Sequence, residues 1–397
     1  MNNVEVWLWI LLVMLPHNSR TSVIISRYGS ALEAARAMRD GRCEELTEAE
    51  KQRVERTRTR EVRSLISECE RLGIRIVTMD DEEYPESLKV IQDPPVVLFV
   101  KGDLRPLNGR LTLSVVGPRS PSEYSRKVAD VVCTELVEDG CAIVSGLAVG
   151  IDAAAHRCAV NRGGYTVGVM GCGLMVNYPT ENAELKNAIL ESGGALISEL
   201  LPYTSVSAGY FKRRNRIISG ISAGTLVIEA SSRSGCLLTA EHAVKQGRVL
   251  FCIPPHNIFE ERYDGSAELI RMGAVSVFAT TDIYEKLSQT YEGVGQLAEK
   301  RKAHLKRSAP KPKIASVAAK LTEKSAAKTV EKHNQPDISQ LSPEEGQIVL
   351  LLSEKQLTMD ELIDRTEKKH DEICSVILGL ELMDVILRNQ DGTFSLR

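Results

Sequence analysis

The sequence predicts an α/β protein whose centre is a doubly wound, mainly parallel sheet, preceded by a helical unit and followed by a winged helix. Three observations predict it. Between residues 74 and 290, short apolar β-rich runs alternate with amphipathic helical patterns, as in a sheet with helices on both faces. The chain holds 28 glycines against 5% aromatics, which suits tight strand-to-helix turns. Its 397 residues also exceed one compact core, since domains usually run to about 100–200 residues.

Residues 1–73 read as helices only. Trp7, Ile10, Leu11 and Met14 share one helical face, and stretches 31–38 and 54–72 continue with charged outer faces. The apolar run 4–15 is too short to cross a bilayer, and no positive charge precedes it as a signal peptide requires, so it reads as a buried helix. From residue 74 the pattern turns to strands, at 74–79, 96–100, 111–116, 141–144, 165–170, 195–199, 225–230 and 248–253. Helical patterns lie between most of them, at 125–138, 151–161, 181–192, 237–246 and 266–272. Residues 291–336 carry 11 Lys/Arg against 4 Asp/Glu and few large apolar residues, which predicts a basic flexible linker. Within 337–397, helices near 343–352, 358–365 and 370–383 precede strands at 385–388 and 393–396. The turn between those strands is Asp391-Gly392, giving a winged helix.

Whole-chain charge decides nothing about partners, because 50 Lys+Arg face 53 Asp+Glu for a net −3. The nine cysteines are odd in number and form no C-x-x-C pair, so neither a disulfide framework nor a zinc site is expected. A reducing cytoplasm fits them. No G-x-G-x-x-G and no G-x-x-x-x-G-K-[ST] occurs, which leaves a dinucleotide fingerprint and a Walker ATP site unsupported. No metal and no cofactor are expected.

Ligands of doubly wound sheets sit beyond the carboxyl ends of the strands. The loops at those ends are Gly117-Pro118-Arg119-Ser120-Pro121, Ser145-Gly146-Leu147-Ala148-Val149-Gly150, Gly171-Cys172-Gly173 and Ser234-Gly235. Small residues and free amides at a helix start attract anions, so Gly117, Ser145, Gly146, Gly150, Gly171, Gly173, Ser234 and Gly235 are phosphate-binding candidates. The competing reading is tight turns without a ligand. The densest charge in the folded region is Phe211-Lys212-Arg213-Arg214-Asn215-Arg216. Arginine forks grip phosphate and a phenylalanine face stacks on an unpaired base, a combination suited to single-stranded nucleic acid. Against it stands a solvated face, or arginines holding carboxylates beneath a loop. Asp152 and His156 lie four apart on one helical face and read as structural, an acid capping free amides at a helix start with the histidine answering it or a nearby carbonyl, before a general-base pair. Glu229, Thr239, Glu241 and His242 are further candidates for the same cleft, and Cys236 reads as a small packed residue.

Taken together, these motifs resemble the DNA-processing protein A family (DprA, also called Smf). The likeness rests on the run 145–156, on Gly171-Cys172-Gly173, on Arg213-Arg214-Asn215-Arg216-Ile217-Ile218-Ser219-Gly220 and on 234–240, with Tyr84-Pro85 and Asp93-Pro94-Pro95 upstream. It covers roughly 74–285. The resemblance implies a helical, sterile-alpha-motif-like domain over 1–73, an extended Rossmann-like core over 74–290 and, past the linker 291–336, a winged helix over 337–397. It further implies a non-catalytic, dimeric binder of single-stranded DNA that protects incoming DNA and helps load RecA in natural transformation. Arg119 takes the place of the family's phosphate-holding arginine, with Ser120 beside it, and Phe211 with Arg213–Arg216 takes that of its basic-aromatic segment. Lys212 stands where proline is common, and Pro118 removes an amide before Arg119.

Two rival readings accompany this one. A nucleotide-processing enzyme of the related lysine-decarboxylase-like, cytokinin-activating group would use Glu229 or Glu241 on a glycosidic bond, yet its P-G-G-x-G-T-x-x-E motif is missing. Alternatively, the winged helix is the main DNA reader and the core only dimerises.

Overall fold

The computed structural model describes residues 1–308 and, in the C-terminal region, 342–366, 368, 372–373, 376–377, 380, 385–389 and 393–396. It divides into a unit Met1–Ser308 and a unit Ala309–Arg397.

The N-terminal region is helical, as expected, with α1 Asn3–Met14, α2 Arg20–Tyr28, α3 Ala31–Arg39, α4 Glu48–Arg56 and α5 Thr59–Arg71. Asn2 and Glu5 start α1 by a reciprocal capping box. The buried helix expected over 4–15 is α1, and its burial extends beyond the face of Trp7, Ile10, Leu11 and Met14. Val6, Trp7, Leu8, Trp9, Ile10, Leu11, Val13 and Met14 are all buried, so α1 is the central helix around which its neighbours pack. The single helix expected over 54–72 is two helices. The Thr57 carbonyl leaves the helical ladder and accepts the Trp9 indole N–H at 3.1 Å, which breaks the chain between α4 and α5.

Nine strands form the sheet of the first unit: β1 Arg75–Thr78, β2 Val97–Gly102, β3 Thr112–Val116, β4 Ala142–Ser145, β5 Thr166–Val169, β6 Ala195–Ser198, β7 Gly224–Val227, β8 Val249–Cys252 and β9 Val275–Ser276. The intervening helices are α6 Glu86–Lys89, α7 Glu123–Glu138, α8 Ile151–Asn161, α9 Ala183–Glu191, α10 Ala208–Ile221, α11 Cys236–Lys245, α12 Asp264–Arg271 and α13 Thr280–Leu287. Strand order is β1-β2-β6-β5-β4-β3-β7-β8-β9. The β1–β2 and β2–β6 pairs are antiparallel and all the others parallel, which bears out the expected α/β class. Strands β3 to β7 are buried along their whole length because helices cover both faces. Chain order reverses between β3 and β7, so a crevice opens where the loops after those strands part.

Two boundaries differ from expectation. The helical region does not stand apart from the sheet: Phe99, Leu147, Met170 and Cys172 share one apolar cluster with α1, and the Trp7 indole donates to Asp80 at 2.7 Å. The segment expected to be a linker from 291 begins with α14, Val294–Ser308. Val294 and Ala298 are buried against α13, and the Arg301 guanidinium bonds half-buried Asp139 at 2.8 and 3.0 Å. That pairing folds a stretch whose composition alone is too polar to do so. The rest of the expected linker lies outside the described residues.

In the second unit, helices Pro343–Glu354 and Met359–Thr366 pack with a three-stranded sheet of Leu357–Thr358, Ile386–Arg388 and, between them, Thr393–Leu396. Ile348, Leu352, Leu357, Leu362, Ile373 and Phe394 form its core. Helix–strand–helix followed by two paired strands is the order of the expected winged helix. Much of the third helix and the Asp391-Gly392 turn fall outside the described residues.

Candidate nucleic-acid interface

At the switch point the loops after β3, β4, β5 and β7 meet the flank of α10 and enclose a cleft of about 430 Å³. Gly117, Arg119, Gly146, Asp152, Gly171, Phe211, Lys212, Arg214, Asn215, Ser234, Gly235 and Thr239 all line it. The parallel topology brings these together, because every βα loop leaves the same edge of the sheet. An adjoining hollow of about 360 Å³ shares Arg119, Tyr178 and Phe211 with the cleft and continues past Ser207.

The basic run lies on α10, and helical phase splits it. Residues 211, 214, 215 and 218 form the stripe that faces the cleft, with Lys212 beside them. Lys212 and Arg119 are exposed, and neither side chain has a hydrogen-bond or ion-pair partner among the described residues. Arg214 is only 6% exposed. Its Nη1 donates to the carbonyls of Gly146, at 2.8 Å, and Val169, while its Nε meets Asn215 Oδ1 at 3.3 Å. Burial pushes its guanidinium down to about 10, and no acid forms an ion pair with it among the described residues. Asp152, in the same lining, offsets part of that charge, and the remainder faces the cleft.

Two members of the run are corrections. Arg216 was expected on nucleic acid but is a buried strut. It forks onto Glu199 at 2.8 and 2.9 Å and reaches Asp93 at 3.1 Å. Burial opposes the charge on Glu199, but Arg216 and His17 outweigh it and hold the carboxyl down at about 2. Arg213, exposed, donates to the His17 carbonyl at 3.0 Å and lies outside the cleft lining. One face of α10 thus fastens the N-terminal helices to the core while the other supplies the cleft.

The loops also differ from the expected set of phosphate cradles. Ser145 Oγ donates to the Val115 carbonyl at 2.6 Å and ties β4 to β3. The amides of Gly146 and Ala148 are taken by Asp152 Oδ2, at 3.1 and 3.3 Å. Five glycines serve close packing of protein on protein. A Cβ at Gly146 would stand 2.6 Å from Arg214 Nη2, one at Gly171 2.4 Å from the Phe211 ring, and one at Gly117 2.6 Å from Ile151. At Gly150 it would meet the Pro118 carbonyl oxygen at 2.3 Å, and at Gly173 the Leu201 and Pro202 oxygens at 2.3 Å. Neither Gly150, Gly173 nor exposed Ser120 lines the cleft. Gly235, by contrast, faces open space.

Asp152 and His156 do not pair. His156 Nδ1 bonds the Thr166 hydroxyl at 2.7 Å, and that hydroxyl donates to the Ile143 carbonyl. Burial brings the imidazole down to about 3 and the Asp152 carboxyl up to about 6. Both act as internal struts, but on separate partners: the expected answer of the histidine to the acid is replaced by the Thr166 hydroxyl. Glu229 accepts the Ser122 amide and hydroxyl at 3.0 and 2.7 Å, whereas Glu241 is on the far side of α11 with Lys245, outside the cleft lining. The enzymatic alternative therefore finds neither of its carboxylates free in the cleft.

Sequence reasoning missed Tyr178. Its ring lies 5.4 Å from that of Phe211, so the aromatic surface at the cleft mouth is double the one expected. The signal lay in Asn177-Tyr178-Pro179, an aromatic in the loop that follows Gly171-Cys172-Gly173.

Comparison with known proteins shows the family. The family model described as DNA recombination-mediator protein A matches residues 75–288, and that of the DprA winged helix domain matches 332–392. The chain is 38% identical over 217 residues to the DNA processing protein DprA of Bacillus subtilis, covering 55% of this chain and 72% of that protein. To the protein Smf of Escherichia coli it is 42% identical over 212 residues, 53% of this chain and 56% of that protein. The X-ray structure of DNA processing protein A from Streptococcus pneumoniae is similar with a TM-score of 0.62 at 32% identity, covering 71% of this chain and 98% of that one. With its core matched from 75 to 288 and its C-terminal module matched beyond, the chain belongs to the DNA recombination-mediator protein A family.

Proposed function

We propose that this protein binds single-stranded DNA in the switch-point cleft and passes it to a RecA recombinase, acting in natural transformation or recombination as a binder without catalysis of its own. The observation that carries the reading is the convergence of two unpaired cations, Arg119 and Lys212, with the faces of Phe211 and Tyr178 on one rim. Phosphates meet the cations and bases meet the rings, an arrangement indifferent to sequence. The step to RecA is supported by the recombination-mediator description of the family.

The core, not the winged helix, is the reader. Residues 337–397 hold 13 Asp/Glu against 6 Lys/Arg, a balance that repels a polyphosphate. Arg119→Ala should weaken binding of an unstructured oligonucleotide by roughly tenfold and lower its salt dependence by about one phosphate contact. Fluorescence anisotropy at several salt concentrations checks this. Equal affinity for duplex and single strand, or an unaffected variant, removes the proposal.

The protein acts as a homodimer through its core. Support comes from an apolar groove of about 800 Å³ between α11, α12, β8 and β9, where Val244 and Met272 are 61% and 74% exposed. Met272→Glu should shift the mass in solution from dimer to monomer, read by light scattering; an unchanged mass places the interface elsewhere. The eight described cysteines are unpaired and buried, which fits a cytoplasmic site of action. Among the described residues no helix is long and apolar enough to cross a membrane.

A further inference from the structure

The cleft is graded from mouth to interior. Arg119 and Lys212 stand exposed at its mouth, and its inner wall includes Arg214 and Thr239, 6% and 2% exposed. At that inner wall α11 begins without a side-chain cap: its N-cap is Gly235, its first turn holds no acid, and the Leu237 amide alone turns back, to the Ser234 carbonyl at 3.2 Å. The neighbouring helix starts are occupied, α7 by Ser122 and the loop before α8 by Asp152.

Thr239 supplies an independent observation. Its hydroxyl lines the cleft on a residue almost wholly buried, and it has no hydrogen-bond partner among the described residues. That hydroxyl is not sealed from solvent, so it opens on the cleft, where an acceptor oxygen of a ligand can take the place of water on it. Of the two buried acids nearby, Asp152 has an oxygen committed to the Gly146 and Ala148 amides, and Glu229 has one committed to the Ser122 amide and hydroxyl.

Resting on the strand-binding reading of this cleft, we propose that its inner end is a seat for a phosphomonoester, either the terminal phosphate of a single strand or that of a free mononucleotide. The first amides of α11 other than that of Leu237, the Thr239 hydroxyl and the Arg214 guanidinium hold it. A terminal phosphate offers three free oxygens and nearly two charges, and it has one chain continuation. An internal diester must leave the seat in two directions, which a buried end does not allow. The volume of about 430 Å³ lies at the small end of ligand pockets and suits a single nucleotide, with the adjoining hollow past Arg119, Tyr178 and Phe211 as the way out for the next.

The test uses the full chain and three labelled oligothymidylates of equal length, bearing a 5′-phosphate, a 3′-phosphate or hydroxyls at both ends. Competition by dTMP forms a fourth arm. One phosphorylated end is expected to bind on the order of tenfold tighter than the hydroxyl-ended strand. That ratio should fall to about one in Thr239→Val and persist in Thr239→Ser, which keeps the hydroxyl and controls for packing. Competition by dTMP without an end preference, lost in Thr239→Val, assigns the seat to free mononucleotide. Equal affinity for all three strands with no competition by dTMP overturns the seat, as does a ratio that survives in Thr239→Val. Should no strand bind the wild type, the strand-binding reading fails instead, and direct titration with dTMP still decides the seat.

Discussion

Arg216→Met is expected to lower folding stability by about 3–5 kcal/mol, because it strands a carboxylate in the interior. Glu199 is 5% exposed and depends on the Arg216 fork, and the same carboxylate sits 2.8 Å from His17 Nδ1. The chain from α10 through Glu199 to His17 is what seats the N-terminal helices on the sheet, so the loss is global. Urea denaturation of variant and wild type checks the magnitude. A change of less than about 1 kcal/mol would put this cluster at the level of a surface ion pair. Removing both charges, Arg216→Met with Glu199→Leu, should recover much of the loss, since the penalty comes from the orphaned partner.

The same pair sets an acid dependence. Glu199 has a folded pKa of about 2, below the unfolded value of about 4.3. In that interval the unfolded chain binds the proton and the folded one does not, so stability falls as pH falls. The contribution is complete above about pH 4.5 and lost progressively toward pH 2. Arg216→Met should flatten this slope.

Gly150→Ala should cost about 3 kcal/mol or more and take DNA binding with it. Gly150 has φ +89 and ψ −129, a region closed to residues with a Cβ, and a Cβ there would meet the Pro118 and Arg119 carbonyl oxygens at 2.3 and 2.6 Å. The obstruction is backbone, so the loop carrying Arg119 must move. Gly235→Ala provides the contrast: its Cβ meets open space, and stability should stay within about 0.5 kcal/mol. Thermal melts beside oligonucleotide binding for both variants distinguish the two positions. Equal behaviour would mean that the close approach at Gly150 does not constrain the loop.

The convergence of the loops at 117–121, 145–150, 171–173 and 234–235 was legible in the chain, because alternating strands and helices in a parallel sheet force all carboxyl ends to one edge. The division of labour within 211–216 was not. Four cations in six positions read as one patch until the phase of α10 turns Arg216 toward Glu199 and Asp93, 17 and 123 positions away, while Arg214 faces loop carbonyls 45 and 68 positions away. The glycines carried a similar ambiguity. A glycine approached by a ligand and one approached by Arg214 or Phe211 have the same letter and the same flanks.

Local pattern by itself determined the fold class, the site's edge of the sheet and the residue types gathered there, since periodicity and turn chemistry act over a few residues. Only the tertiary structure decided which charges remain free. That depends on carboxylates and carbonyls brought from distant positions, as Asp139 does for Arg301 across 162 residues, turning an apparent linker into α14. Whether a charge is available to a ligand is settled by its folded neighbours and its access to water, and neither is a property of the chain's local order.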